Sequence, residues 1–315
     1  MPYTLQYNAS IEQAFGANNT VSISYVGARG ERLGRVESLR NSTTRVRRLD
    51  LVTNGGFSNY NALQAQYQRR LTRGFQAILS YTFAKSLDNV SDESQNNLQL
   101  PNTNFNPQLD YAPSIFDVRH AFNSAVSYEI PSLFENSLAR KIFGGFGIDA
   151  IFRARTATPI NLVTGANNIF SVGLATIVRP DLVPGQPLYV EDETAPGGRR
   201  FNPAAFNRAA PLAQGRQGTL ARNALRGFPA QQLDLSLRRQ FNLTERLNLL
   251  LRVDGFNVFN TPNFANPSNV IPSNFMTSTT FGRATRTLSS GLGGLSSLYQ
   301  IGGPRSFQLS AKLRF

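Results

Sequence analysis

The residues able to do chemistry are few. His120 is the one histidine and there is no cysteine, so neither a thiolate metal site nor a multi-histidine site can be assembled, and a Ser/His/Asp arrangement has a single imidazole to serve it. Arg119 precedes that histidine and its charge opposes a bound cation, which makes a strand-end residue near a membrane interface the better reading of His120. Asp88, Asp92 and Glu93 could offer oxygens to calcium, but they lack the regular ligand spacing of a calcium-binding loop. Solvated loop charge is the simpler account. Gly144-Gly145 and Gly293-Gly294 stand outside any strand-to-helix context that would cradle a phosphate and read as turns. No enzyme activity, metal or cofactor is expected. Asp234, Arg238, Arg252 and Asp254 differ in kind, because each pair shares the polar parity of an alternating segment. They form either a specific charge network on the wet side of a sheet or its generic solvation.

Charges at even spacing need strands to hold them, and the end of the chain shows that element most plainly. In RSFQLSAKLRF, the residues Phe307, Leu309, Ala311, Leu313 and Phe315 fall on one side of an extended chain, while Ser306, Gln308, Ser310, Lys312 and Arg314 fall on the other. Helical periodicity does not fit. Two-faced alternation over about ten residues, closed by an aromatic carboxy-terminus, suits a tilted strand between lipid and water. The edge strand of a soluble sandwich would alternate in the same way.

The same pattern recurs upstream. Leu5, Tyr7, Ala9 and Ile11 alternate within Tyr3 to Ala14; after a turn at Gly16 to Asn19, Val21, Ile23 and Tyr25 resume the apolar face. Leu63, Ala65, Tyr67 and Leu71 precede a turn at Thr72 to Gly74, and Phe75, Ala77, Leu79, Tyr81 and Phe83 follow it. A helix would also suit Leu63, Tyr67 and Leu71, but alternation running through the turn favours a hairpin. A third pair holds Phe122, Val126, Tyr128 and Ile130, then Phe146, Ile148, Ala150 and Phe152. The fourth runs from Gln231 to Phe241 and from Arg246 to Phe259, where Phe256 and Val258 break parity and predict a bulge near Gly255. With the terminal strand this makes nine. The connections inside pairs are short or intermediate, whereas those between pairs (28–58, 85–115, 157–229 and 260–303) are long, polar and irregular. Outer-membrane barrels show that asymmetry, with short periplasmic turns and long external loops.

Composition narrows the alternatives. Gly 25 and Pro 17 in a chain only 41% hydrophobic favour strands and turns, and no run approaches the roughly 18 to 20 apolar residues of a membrane helix. A formal charge of +13 invites nucleic acid, yet only three of the basic residues are lysines, Lys85, Lys141 and Lys312, and the arginines are spread along strands and loops. The amino-terminal MPYTLQYNASIEQ lacks the basic and apolar regions of a signal peptide. Absence of Trp leaves Tyr and Phe to supply any aromatic girdle.

The stretches SNYNALQAQYQRRLTRGFQAILSYTFAKSLD, FDVRHAFNSAVSYEIP, FNPAAFNRA, ARNALRGFPAQQLDLSLRRQFNL, LRVDGFNVFNTPNFANP and FQLSAKLRF resemble, in their order and spacing, the carboxy-terminal half of TonB-dependent receptors of the Oar-like type. The resemblance implies an all-β fold: an antiparallel transmembrane β-barrel, here a carboxy-terminal partial barrel spanning 1–315. In a barrel of about 22 strands, these would be the last nine. It implies a place in the cell outer membrane among lipid and lipopolysaccharide, assembly by the barrel-assembly machinery through Phe307, Leu309, Ala311, Leu313 and Phe315, and energised uptake of an unknown ligand. TonB would act only through a plug missing from this chain, whose amino-terminal domains and first barrel half are also missing, as in a fragment or truncated reading frame. Asp234, Arg238, Arg252 and Asp254 would then face the lumen, lining the pathway or touching the plug. A passive pore or adhesin-like barrel is the nearest alternative; a soluble basic β-protein binding nucleic acid or polysaccharide is more distant, and no nucleic-acid partner is expected.

Overall fold

The computed structural model describes residues 1–40, 48–91, 107–131, 144–164, 178–214, 217–244, 246–291 and 301–315. Nine long strands emerge among them: β1 Tyr3–Phe15, β2 Asn19–Arg40, β3 Arg48–Thr72, β4 Phe75–Asp88, β5 His120–Glu129, β6 Phe146–Arg155, β7 Ala230–Asn242, β8 Asn248–Phe256 and β9 Ser306–Arg314. Each pairs antiparallel with the next in a single sheet, as the alternation predicts. The described strands do not close into a barrel, because β1 and β9 each have one neighbour. No described helix is long and apolar enough to cross a membrane.

Register turns the alternation of each strand into rows across the sheet. Ile148, Leu237, Val253 and Leu309 are successive Cα partners, and so are Ser127, Asp149, Ser236, Asp254 and Gln308. One face is therefore aliphatic and aromatic and the other polar. The apolar face is uncovered: Ile11 and Leu309 are each 77% exposed, and Ile23, Leu63, Leu237 and Val253 are exposed with them. A water-soluble protein rarely shows so large an apolar patch, whereas a lipid-facing wall requires one. At Tyr7 the aromatic ring lies across Gly27 on β2, filling the place of a side chain, and both Tyr7 and Tyr25 donate their hydroxyls to Asn61 at 3.0 and 2.7 Å.

The turns explain themselves locally. Arg73 and Gly74 both take left-handed φ, 51° and 77°, the combination that matches the twist of a two-residue hairpin. A Cβ on Gly74 would lie 2.6 Å from the Glu129 carbonyl, so glycine is needed there twice over. The parity break near Gly255 sits slightly further along than expected. The β7–β8 ladder is regular up to Leu235 and Gly255; beyond it Asn257 is left-handed, with φ 48°, and the Val258 amide donates to the Leu233 carbonyl.

One expected connection is largely strand. Residues 28–58 read as a polar loop, yet β2 continues to Arg40 and β3 begins at Arg48, paired as far as Arg40 with Arg48, with register shifts on either side of Leu33. The register shifts interrupt the two-residue period, so the sequence loses the alternation while the backbone ladder persists. Similarly, β4 reaches Asp88 and pairs with the short strand Ala112–Pro113. The irregular regions after β6 and β8 fold together around their own apolar core of Ile160, Leu162, Phe201, Phe206, Leu220, Leu225, Ile271 and Phe281, among others, all at most 7% exposed. Short ladders such as Tyr189–Glu191 with Arg199–Phe201 shape this cap.

Leu237→Arg should destabilise the membrane-inserted sheet by about 2–4 kcal/mol and Gln66→Arg, on the polar face, by less than about 1 kcal/mol. Urea unfolding of the complete protein in lipid vesicles measures both; equal costs would show that Leu237 does not face lipid.

Candidate functional site

Two assemblies of charge emerge from the strand register and the loops. On the polar face, Arg238 of β7 and Arg252 of β8 are direct cross-strand partners, a like-charge pair that persists because each turns to its own carboxylate. Arg252 Nε lies 2.6 Å from Asp254 Oδ1 and its NH2 donates to Ser236 Oγ at 2.9 Å, while the Ser236 hydroxyl donates to Asp254. Arg238 Nε lies 3.2 Å from Asp149 Oδ2, its NH2 donates to Ser127 Oγ at 3.3 Å, and Glu129 lies at 3.6 Å. Gly147 makes this reach possible, because a Cβ there would sit 2.6 Å from the Arg238 guanidinium carbon.

Asp234 does not join this network. It accepts from Gln232 Nε2 at 2.8 Å and from the Asn257 amide at 2.9 Å, holding the turn after β8. Of the four residues expected to act together, the structure thus joins Arg252 to Asp254 and places Arg238 beside them, and it adds Asp149, Ser127, Glu129 and Ser236. These pairs are half-exposed, so each stabilises by only about 0–1 kcal/mol. Their consequence is a fixed pattern of charge on one face rather than strength.

The second assembly is buried at the long-loop end. Asp110 receives Arg35 NH2 at 2.6 Å and Arg179 NH1 at 3.4 Å. Arg222 pairs with Asp88, donates Nε to the Asp110 carbonyl at 2.8 Å and reaches Ser91 Oγ at 3.1 Å. Asp117 holds Arg226 at 2.5 Å and caps the Ser86 amide at 2.7 Å. Arg35, Asp88, Asp110, Arg179 and Arg222 are 4 or 5% exposed and Asp117 is 1% exposed. Burial lowers the proton affinity of Arg179, against the pull of Asp110. The forked guanidinium suits such sites because it can bond several oxygens at once. These contacts tie the upper end of β2 to Asp110, 75 residues away, and that of β4 to Arg222, Arg222 and Asp88 being 134 apart.

Asp88 is accordingly neither a calcium ligand nor solvated loop charge: its carboxylate is buried and taken by Arg222 and Ser91. Asp92, Glu93 and Gly293-Gly294 lie outside the described residues. Gly145 is left-handed, φ 77°, as a turn requires. His120 begins β5, accepts or donates through Nδ1 to Tyr81 Oη at 2.7 Å and packs near Phe83, a strand-end aromatic cluster. Among the described residues there is no group of three or more potential metal ligands.

Arg222→Ala should cost about 3–5 kcal/mol, because it strands the buried Asp88 carboxylate. Hydrogen exchange of the complete protein should then show faster exchange in 107–117 and 217–229 while the strands stay protected; unchanged exchange would contradict the tie. At the hairpin tip, the Thr194 hydroxyl at 2.6 Å and Arg283 at 2.6 Å pull the Asp192 carboxyl down from 3.8 to about 2. Its lowered folded value means that its contribution is complete above the ordinary carboxylate range and is lost as pH falls through about 2. A carboxyl NMR titration should place that midpoint, and Arg283→Ala should move it upward.

A sequence-family model described as an outer membrane beta barrel domain matches residues 1–308. A search of curated proteins finds no match. Among solved structures, the outer membrane transporter YddB from Escherichia coli superimposes with a TM-score of 0.53 at 11% identity, over 99% of this chain and 32% of that one. The pyoverdine outer membrane receptor FpvA from Pseudomonas aeruginosa gives a TM-score of 0.46 at 12% identity, over 100% and 30%. The chain spans about a third of the length of these structures, and the likeness to YddB is one of fold. With nine antiparallel strands, an uncovered apolar face and a match over nearly its whole length, the chain belongs to the outer membrane beta barrel domain family and resides in the outer membrane.

Proposed function

We propose that this chain forms the carboxy-terminal wall of a TonB-dependent receptor of the Oar-like kind, which takes up a ligand when an inner-membrane partner draws on a plug. The observation that carries this reading is the overlay of the whole chain on about a third of an outer membrane transporter, with β1 and β9 left as free edges. Further strands close the barrel against those edges. The long loops lie outside the cell and the Gly16 and Gly74 turns lie in the periplasm, so that β9 runs inward and ends there. Its outward row, Phe307, Leu309, Ala311, Leu313 and Phe315, is exposed where its positions are described and engages the assembly machinery. Arg238, Arg252 and Asp254, with Asp149, line the lumen and set its charge pattern; Asp234 secures the rim above them.

The complete protein in a planar bilayer should pass almost no current until urea unfolds the plug; a steady conductance without urea identifies a passive pore instead. The chain has no cysteine, so single cysteines report the orientation cleanly. A membrane-impermeant maleimide added to whole cells should label Glu193→Cys and leave Asn18→Cys unlabelled, and the opposite pattern would overturn the external placement of the long loops.

A further inference from the structure

The arginines of the polar face divide by what they meet. Arg238 and Arg252, nearer the short turns, each have a carboxylate: Asp149 at 3.2 Å and Asp254 at 2.6 Å. Arg153 and Arg155 share the parity of Asp149 on β6 and stand at the long-loop end of that strand. Among the described residues, neither of these two guanidinium groups meets a carboxylate or a hydrogen-bond acceptor.

The register explains why. Arg155 lies between Ala121 and Ala230 across the sheet, and Arg153 lies between Asn123 and Gln232. The alanines offer no side-chain oxygen. The Gln232 side chain is engaged at both ends, donating to Asp234 at 2.8 Å and accepting from the Gly302 amide at 2.8 Å. Asp234, diagonally across from Arg153, is turned to Gln232 and to the Asn257 amide. Ile151 separates the two arginines from Asp149 further down the strand. Asn123 is exposed and its amide has no partner among the described residues.

The outcome is a pair of half-buried guanidinium groups, two residues and therefore about 7 Å apart along one strand, beside small side chains and an unengaged amide. Like charges so placed repel each other, and a bridging anion relieves the repulsion. Each planar guanidinium can hold an oxyanion through two parallel bonds. A mouth lined by one sign of charge also concentrates counter-ions. Below it the paired charges of Arg238 and Arg252 give an anion no comparable hold, so a ligand caught at the mouth is free to move on, as passage through a pore requires.

We propose that Arg153 and Arg155, helped by Asn123, form an anion-binding step beneath the loops, and that the ligand carried past this wall bears two oxyanion groups, either two carboxylates or a diphosphate. This deepens the reading of the polar face as the lining of a lumen below external loops, and rests on it.

Calorimetric titration of the complete protein in detergent at low ionic strength, with citrate and with pyrophosphate in separate runs, tests it. At least one of the two should bind, one per chain, and which of them binds names the oxyanion as a carboxylate or a phosphate. Arg153→Gln and Arg155→Gln should each weaken that binding about tenfold, the usual scale for losing a hydrogen bond to a charged group, and the double variant should abolish it. Arg155→Lys, which keeps the charge and loses the fork, should fall between wild type and Arg155→Gln. Lys312→Gln, on the same face at the other end of the wall, should leave binding unchanged. Absence of binding by both anions, or binding that the arginine variants leave unaltered, overturns the proposal. A charged thiol reagent checks the face separately: Arg153→Cys should react and Phe152→Cys should not. If Arg153→Cys reacts while neither anion binds, the lumenal face stands and the anion step alone falls; the reverse labelling pattern removes both.

Discussion

Lipid offers no hydrogen bonds, so every backbone amide and carbonyl that enters it must find a partner in the protein. The rest of this structure depends on that constraint. It fixes the wall as one continuous antiparallel ladder from β1 to β9. With the backbone satisfied inside the sheet, the side chains are free to divide by face. Leu237, Val253 and Leu309 go to one side; Ser236, Asp254 and Gln308 go to the other.

The division inverts the usual arrangement of a folded chain. The large apolar side chains of the wall are its most exposed ones, and the clustered hydrophobic core belongs to the loops, around Leu162, Phe201, Leu225 and Ile271. The loops stand in water and must bury their own apolar groups, so they form a small folded cap. Its junction with the wall uses Arg35, Asp88, Asp110, Arg179 and Arg222 in place of apolar packing. Replacing such a buried ionic cluster by apolar groups can be neutral for stability, whereas removing one partner is costly. The cluster therefore specifies which loop segment docks on which strand end more than it adds to the total stability.

What the sequence makes legible follows the same physics. Where lipid faces one side of a strand, alternation is enforced, and β9, β4 and the Arg73-Gly74 turn stand out from residue order alone. Where the register shifts, as on either side of Leu33, the ladder continues to Arg40 and Arg48 without leaving a pattern in the sequence. The polar parity of Arg252 and Asp254 was readable within one strand. The pairing of Arg238 with Asp149 was not, because it depends on the register of β6 with β7, which are separated by the long irregular stretch between Arg155 and Ala230. The Arg222–Asp88 pair, 134 residues apart, and the loop core leave no local signal of any kind.

The central claim is that the apolar parity of these strands meets lipid and the polar parity meets water. Spin labels placed one at a time along β9, from Ser306 to Arg314, in the complete protein reconstituted in bilayers, test it most directly. Collision with oxygen should peak at 307, 309, 311 and 313 and collision with a water-soluble nickel chelate at 308, 310 and 312. A scan without that two-residue period, or with its phase reversed, would contradict the account.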